Sequence, residues 1–321
     1  MVRGLARLTL ALSILVVANA QALKTVSIPL PNTAASLSIP AWSNGLYVQW
    51  TRTEGSDRPK LWAYDENGMQ VISPTEIWFP DTASARIHAA VASPEKLVIA
   101  SVLAWTSARM TTLLCFIGPS GVIRVTDTNQ FIAEHLAFSP DGVLWAFGFR
   151  AVSSPGDVNG DFRTLRRFDI NGMQLSESVQ PDALVGQRHG GGIQASQLSN
   201  NGASFLLAGS SRKFLFNSAT YRFLELDSVG RIIRSAILNP LPRSPARVKL
   251  LSAVTSASGH IYCTFDDGAG IWNLNPDTMS WTLIDKSNFA VPFNRTYGMD
   301  GEQAILGFYG NTFSWFAMPA Q

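Results

Sequence analysis

The sequence predicts an all-β fold in which one four-stranded sheet is repeated around a ring. Within its 321 residues, six turns made of small or polar residues with Gly or an acidic residue are each followed at once by a short apolar run. A second series of turns follows most of them after roughly 20 to 30 residues. Two interleaved series that share a period of about 40 to 60 residues are typical of a β-propeller. We therefore predict a six-bladed β-propeller that forms a single domain.

The turns also set the order of the blades. The first series consists of Ser43–Gly45, Ser93–Glu95, Ser139–Gly142, Ser199–Gly202, Ser256–Gly259 and Met299–Gly301. The predicted units run over about 35–72, 85–126, 135–179, 194–238 and 248–285, with a sixth from about 293. A seven-bladed propeller is the alternative, because the interval from Gly142 to Gly202 is 60 residues and has room for extra strands.

Each unit contains short runs in which apolar and polar residues alternate, as half-buried strands require. In the first unit, Leu46–Trp50 and Leu61–Tyr64 are rich in the β-branched and aromatic residues that favour strands. The sixth unit ends one strand short. We expect Leu23–Leu30, which shows the same alternation, to supply the missing strand and close the ring.

The third unit has the clearest turn chemistry. In Phe138–Gly142, Pro140 presets the first turn angle, Asp141 can bond to the backbone ahead, and Gly142 supplies a positive φ. This turn resembles the F-S-P-D-G turn of WD40-like propellers. Phe168–Gly172 and Tyr64–Gly68 resemble hairpins of six-bladed propellers of the NHL and gluconolactonase-like kind. The resemblance implies the architecture; such propellers include binding modules, scaffolds, lactonases and lyases, so it does not imply one activity.

Residues 1–20 have the order of a secretory signal: Arg3 and Arg7, the apolar stretch Leu8–Val17, then Ala18–Ala20. The apolar stretch is shorter than the roughly 20 residues that span a bilayer, although an uncleaved anchor is the alternative. We expect residues 21–321 to be the mature domain, located outside the cell or in the periplasm. No other segment suggests an integral membrane protein.

The charge balance argues against a nucleic-acid partner. Without Arg3 and Arg7 the chain has 23 basic and 23 acidic residues, so it lacks the cationic excess that binds polyanions. A protein, a glycan or a small molecule remains as ligand, and we expect a monomer. Cys115 and Cys263 fall in the second and fifth units, across the ring from each other, which predicts two buried free thiols.

Three histidines, His88, His135 and His189, lie near the entrances to innermost strands, where propeller ligands usually bind. His88 and His135 precede their turns by five and four residues, which suggests related places in adjacent blades. Their chemistry suits a metal site or a general base. The alternative is that they are ordinary histidines at strand ends, because no acidic partner shares their spacing.

Two further segments are candidates for ligand binding. Arg188, His189, Gly190 and Gly191 lie in a glycine-rich stretch that could present backbone N–H groups to an anion, or could simply connect two blades. The second segment is a partial calcium-loop pattern, formed by Asp157, Asn159 and Asp161. It lacks the later glycine and glutamate, so a solvated hairpin is the other interpretation.

We therefore interpret the chain as a secreted propeller that binds a ligand without catalysis. The sequence predicts no cofactor. The alternative function is a metal-dependent hydrolase, lactonase or lyase with calcium or zinc at the mouth of the central channel, which would need several inward-facing ligands at equivalent blade positions.

Overall fold

The structure, a computed structural model, describes residues 22–29, 36–38, 41–52, 58–107, 109–150, 163–179, 204–217, 222–238, 241–242, 250–289, 292–308 and 311–318. Within these ranges the chain consists of strands, turns and one short 3₁₀ helix, Lys286–Asn288. The strands form six separate antiparallel sheets. No helix in the described part is long and apolar enough to cross a membrane.

Each sheet is one blade. Blade 1 contains β2 (Ser36–Leu37), β3 (Ala41–Ser43), β4 (Leu46–Arg52), β5 (Lys60–Asp65) and β6 (Gln70–Glu76). Blade 2 contains β7 (Thr82–Ala92), β8 (Val98–Thr106), β9 (Met110–Gly118) and β10 (Gly121–Asp127). Blade 3 contains β11 (Phe131–Phe138), β12 (Leu144–Arg150), β13 (Arg163–Phe168) and β14 (Gln174–Val179).

Blade 4 contains β15 (Ser204–Leu207), β16 (Lys213–Asn217), β17 (Arg222–Leu226) and β18 (Ile232–Ile237). Blade 5 contains β19 (Leu250–Thr255), β20 (Ile261–Phe265), β21 (Gly270–Asn275) and β22 (Ser280–Asp285). Blade 6 contains β23 (Arg295–Asp300), β24 (Gln303–Phe308), β25 (Thr312–Ala317) and, from the start of the described chain, β1 (Lys24–Ser27).

The innermost strand of each blade contacts the innermost strand of the next, from β3 through β7, β11, β15, β19 and β23 and back to β3. The chain is a six-bladed β-propeller, as predicted, with these strands around the central channel. In blade 6, β1 pairs with β25 from Lys24 opposite Trp315 to Ser27 opposite Thr312. One blade thus contains strands from both ends of the described chain.

Blade 4 lies within its predicted unit, 194–238, but its first turn does not match the series. In the other five blades the first-series turn joins the innermost strand to the second strand, whereas Ser199–Gly202 lies outside the described residues and precedes β15. That turn instead occupies residues 208–212, between β15 and β16. Its composition, Ala-Gly-Ser-Ser-Arg, is a weaker turn signal than Ser-Asn-Asn-Gly, which explains the shift.

Apolar side chains fill the seams between blades. A separate buried cluster lies at each of the six seams; the cluster between blades 1 and 2 includes Val48, Ile87 and Val102. The two cysteines belong to different seams, Cys115 between blades 1 and 2 and Cys263 between blades 4 and 5. Both are buried and free, which confirms the prediction, and burial raises the pKa of the Cys115 thiol to about 12.

The second turn series is built by one aspartate motif. The Asp169 side chain accepts hydrogen bonds from the backbone N–H groups of Asn171 and Met173, both at 2.8 Å. Asp65 and Asp227 make the same pair of bonds in their own blades. A carboxylate that satisfies two N–H groups holds each turn in the shape that the following positive-φ glycine completes.

These turns also join neighbouring blades. Arg124, on the outer strand of blade 2, donates to the carbonyl of Ile170 at 3.0 Å and to the side chain of Asn171 at 3.2 Å. Arg234 makes the equivalent contacts from blade 4 to the carbonyls of Pro276 and Asp277, at 2.6 and 2.7 Å. The turns therefore fix the spacing of adjacent blades as well as the path of their own chain.

A pair of glycine variants tests this second role. Gly142 and Gly172 have nearly equal φ values of +78° and +83°, but a Cβ on Gly172 would lie 2.8 Å from Phe116 of blade 2, whereas a Cβ on Gly142 would meet nothing within 4 Å. Gly142→Ala should lower the free energy of unfolding by about 1–2 kcal/mol through its backbone conformation alone. Gly172→Ala should lower the free energy of unfolding by about 1–3 kcal/mol more than Gly142→Ala does, because its Cβ would overpack the contact with blade 2. Equal losses in urea unfolding would contradict an inter-blade role for this turn.

Candidate functional site

The innermost strands of four blades carry a β-bulge near the same level. The extra residue is His88 in β7, Glu134 in β11, Leu251 in β19 and Tyr297 in β23. A bulge interrupts the strict alternation of a strand and re-aims the side chain at that point. Because these strands border the channel, the bulges mark the places where a side chain of an inner strand departs from the alternation that its neighbours follow.

The register separates the two predicted histidines. His88 is the bulge residue of its strand, whereas His135 follows the bulge residue Glu134 by one position. The inference that His88 and His135 occupy related places is therefore wrong by one residue. His135 is paired with Phe147 across the blade, and the two rings stack with their centroids 6.4 Å apart. The residue equivalent to His88 is Glu134.

The burial of β7 shows which way its residues face. Ala85 and Ile87 belong to the apolar cluster between blades 1 and 2. Arg86, which alternates with them, lies on the opposite face of the strand, towards blade 3. Its partner across the strand pair is Leu103, which packs against Ile132 of blade 3. The seam between blades 2 and 3 thus has an apolar wall beside the guanidinium.

A hydroxyl group fixes the two inner strands at this level. Ser101, on the second strand of blade 2, is buried and accepts a hydrogen bond of 3.1 Å from the backbone N–H of Ala133. Ser101 pairs with Ala89, directly after the bulge residue His88, and Ala133 directly precedes the bulge residue Glu134. This bond holds the two bulges in a defined relation across the seam.

His88 is neutral at physiological pH. Burial lowers its pKa to about 4, and the positive charge of Arg86 lowers it further in the same direction. Its Nε2 atom is buried and has no hydrogen-bond partner in the described part of the chain. A neutral imidazole offers one N–H donor and one acceptor nitrogen, so His88 has an unused hydrogen-bonding group beside the channel.

Arg86 is half-buried, and within the described ranges its side chain makes no hydrogen bond and no ion pair. Other arginines of the ring are paired: Arg212 with Glu225 at 2.7 Å and Arg166 with Glu177 at 3.2 Å. Within the described ranges, β7 therefore carries a guanidinium without an acceptor and, two residues later, an imidazole whose buried Nε2 atom has no partner.

The remaining candidates from the sequence lie outside the described residues. They are Arg188, His189, Gly190 and Gly191 of the glycine-rich stretch and Asp157, Asn159 and Asp161 of the partial calcium pattern. Among the residues that the structure does describe, no group of three or more His, Cys, Asp or Glu side chains could hold a metal ion. His88 is the predicted site residue whose surroundings the structure defines best.

Sequence reasoning missed Arg86 and Glu134. Arg86 could have been found from alternation, since it stands two residues before His88 in a strand whose odd-numbered neighbours, Ala85 and Ile87, are apolar. Glu134 precedes its turn at Ser139 by five residues, the same interval that separates His88 from Ser93. The interval to the turn therefore indicates that Glu134, and not His135, is equivalent to His88.

No family model matches the chain, and a search of curated proteins found no match. Among solved structures, it is similar to a putative gluconolactonase, with a TM-score of 0.48 and 13% identity over 93% of this chain and 94% of that one. It is also similar to a luciferin-regenerating enzyme, with a TM-score of 0.49 and 10% identity over 91% of this chain and 95% of that one. A third similar structure is the β-propeller domain of Cps50 (Swd1) from Myceliophteria thermophila, with a TM-score of 0.46 and 10% identity over 93% of this chain and 99% of that one. At these identities the likeness concerns architecture and not chemistry.

The pKa of His88 predicts a pH dependence of stability. The unfolded chain binds a proton at this residue below about pH 6.5, whereas the folded protein does so only near pH 4, so stability is lost as the pH falls through this interval. Between pH 7.5 and 5, wild-type protein should lose about 1–2 kcal/mol more than the His88→Phe variant. Urea unfolding at both pH values measures the difference. Equal losses in the two proteins would contradict a buried neutral imidazole.

Proposed function

We propose that this protein is a ligand-binding propeller whose site lies at the seam between blades 2 and 3, beside the central channel. The observation that carries the proposal is the buried Nε2 atom of His88, which has no partner in the described part of the chain. Leaving a buried polar atom unpaired typically costs about 1–3 kcal/mol. A bound ligand that bonds to Nε2 would offset this cost.

The fold supports binding in another way. The strands on both sides of the site are anchored by apolar clusters and by the hydrogen bond from Ala133 to Ser101, so the site is held before a ligand arrives. A preorganised site loses less conformational entropy on binding than a mobile one. Binding requires no other chemical group, and for this reason we prefer it to catalysis.

The proposed location is outside the cell or in the periplasm. It rests on the order of residues 1–20, in which basic residues, a short apolar stretch and Ala18–Ala20 follow one another. The neutral balance of the remaining chain suits a partner that is a small molecule, a glycan or a protein rather than a nucleic acid. We propose that the protein acts as a monomer.

A metal-dependent hydrolase, lactonase or lyase is the second candidate. It is favoured by one observation: His88 and Glu134, both of types that bind zinc, occupy the bulge position in adjacent innermost strands. A catalytic zinc site commonly has three protein ligands. This reading therefore needs at least one further ligand.

A thermal-shift panel separates the two functions. The probes are glucose, acetate, calcium and zinc, tested on wild type, on His88→Phe and on His260→Phe, a control outside the innermost strands. Binding at the seam predicts that glucose or acetate raises the Tm of wild type and of the control by about 2 °C at a concentration tenfold above its Kd, but not that of His88→Phe.

Two other results would count against the binding proposal. Stoichiometric zinc or calcium that remains through dialysis and is lost in His88→Phe would favour the hydrolase. A panel in which no probe gives a response that depends on His88 would contradict a site at this seam.

A further inference from the structure

We infer that the ligand bound at the seam between blades 2 and 3 carries a carboxylate, which Arg86 and His88 recognise together. The inference rests on the proposed function and adds to it the chemical class of the ligand. In this arrangement the guanidinium of Arg86 binds the carboxylate, and Nε2 of His88, carrying its hydrogen, donates to the same group.

The first step is the charge of Arg86. The guanidinium remains protonated at all physiological pH values, and in this structure it is half-buried without an acceptor in the described ranges. Its positive charge disfavours the protonated form of His88 and so contributes to the lowered pKa of that residue. An anion would give the cation a partner.

The second step is geometry. Arg86 and His88 are separated by one residue, so their Cα atoms lie at most about 7 Å apart. His88 is the extra residue of the bulge, so its side chain is not held to the alternation that places Ile87 in the seam between blades 1 and 2. The long side chain of Arg86 can cover this distance, and its planar fork matches the two oxygens of a carboxylate. The imidazole N–H provides a further donor on one side of the group. A neutral ligand would use the imidazole but leave the guanidinium uncompensated.

The third step is the surrounding charge and polarity. Leu103 and Ile132 form an apolar wall near Arg86, which strengthens its interaction with an anion by excluding water. The other charged residues within the described innermost strands are Glu134 and Arg295, which already have interactions of their own, and Asp300 at the exposed end of β23. Among the charged side chains of the described innermost strands, Arg86 is thus the cation that is available to a ligand.

Carboxylate binding has a spectroscopic consequence. A negative charge beside the imidazole favours its protonated form, so the pKa of His88 should rise when the anion binds. The ring resonances of His88 can be assigned by comparison with His88→Phe, since the chain contains four histidines. The titration reports binding at this site and not elsewhere on the protein.

The experiment compares acetate with its neutral isostere acetamide, with sodium chloride as the control for ionic strength. Binding is followed by the His88 ring resonances in wild type, Arg86→Gln and Arg109→Gln. Arg109 lies between β8 and β9 of the same blade and is exposed, so its variant removes an equal charge from outside the innermost strand. We expect acetate to raise the pKa of His88 in wild type and in Arg109→Gln, and acetamide not to do so.

In Arg86→Gln the affinity for acetate should fall about tenfold to a hundredfold, since a hydrogen-bonded ion pair is lost. Arg86→Gln should fold, because Arg86 has no partner within the described ranges to leave unpaired, and we expect its thermal unfolding to match that of wild type. Equal acetate binding in Arg86→Gln and wild type would overturn the inference. Binding of acetamide or glucose that depends on His88 but not on Arg86 would also overturn it, while leaving the proposed function intact.

Discussion

The pairing of β1 with β25 is the constraint on which the rest of the ring depends. Five blades are continuous segments of chain, but the sixth is complete only when Lys24–Ser27 joins the strand Thr312–Ala317. Without that join, blade 6 would have an open edge and the seam between blades 6 and 1 would have no covalent or ladder restraint. Every other seam is held at its spacing because the ring is closed.

The closing seam is packed differently from the others, with aromatic rings in place of most aliphatic side chains. Trp42 meets Trp315 edge to face at 5.4 Å, and Tyr47 lies 4.2 Å from Phe313 between ring centroids. Burial raises the pKa of Tyr47 well above its ordinary value. Large rings bury more apolar area per residue than aliphatic side chains, which suits the one seam that has to be assembled from distant parts of the chain.

The fold was predictable where its determinants are local. The Asp169–Gly172 hairpin and the turn at Ser139–Gly142 need only the residues that form them, and both stand where the sequence places them. The first turn of blade 4 was misplaced because a strong Ser-Asn-Asn-Gly signal outweighed the weaker turn that the strand pairing selects. Local turn propensity does not report which strand a segment will pair with.

The site was predictable only in part for the same reason. His88 stood out by its residue type, but its equivalence to Glu134 depends on a bulge, and a bulge is a property of two paired strands. That the Arg86 guanidinium has no acceptor within the described ranges is likewise invisible in the sequence, since it depends on which acceptors the fold brings within reach. In the folded ring, the bulge lets an inner strand serve two apolar seams and still present polar groups beside the channel.

Hydrogen exchange tests the closure most directly. Amide exchange in Thr312–Ala317 would be compared between the full chain and a chain that begins at residue 31, which lacks β1. We expect slow exchange in the full chain, and in the shorter chain fast exchange that spreads from β25 into the strands of blade 1. Unchanged protection of both blades after removal of β1 would contradict the claim that this pairing holds the ring together.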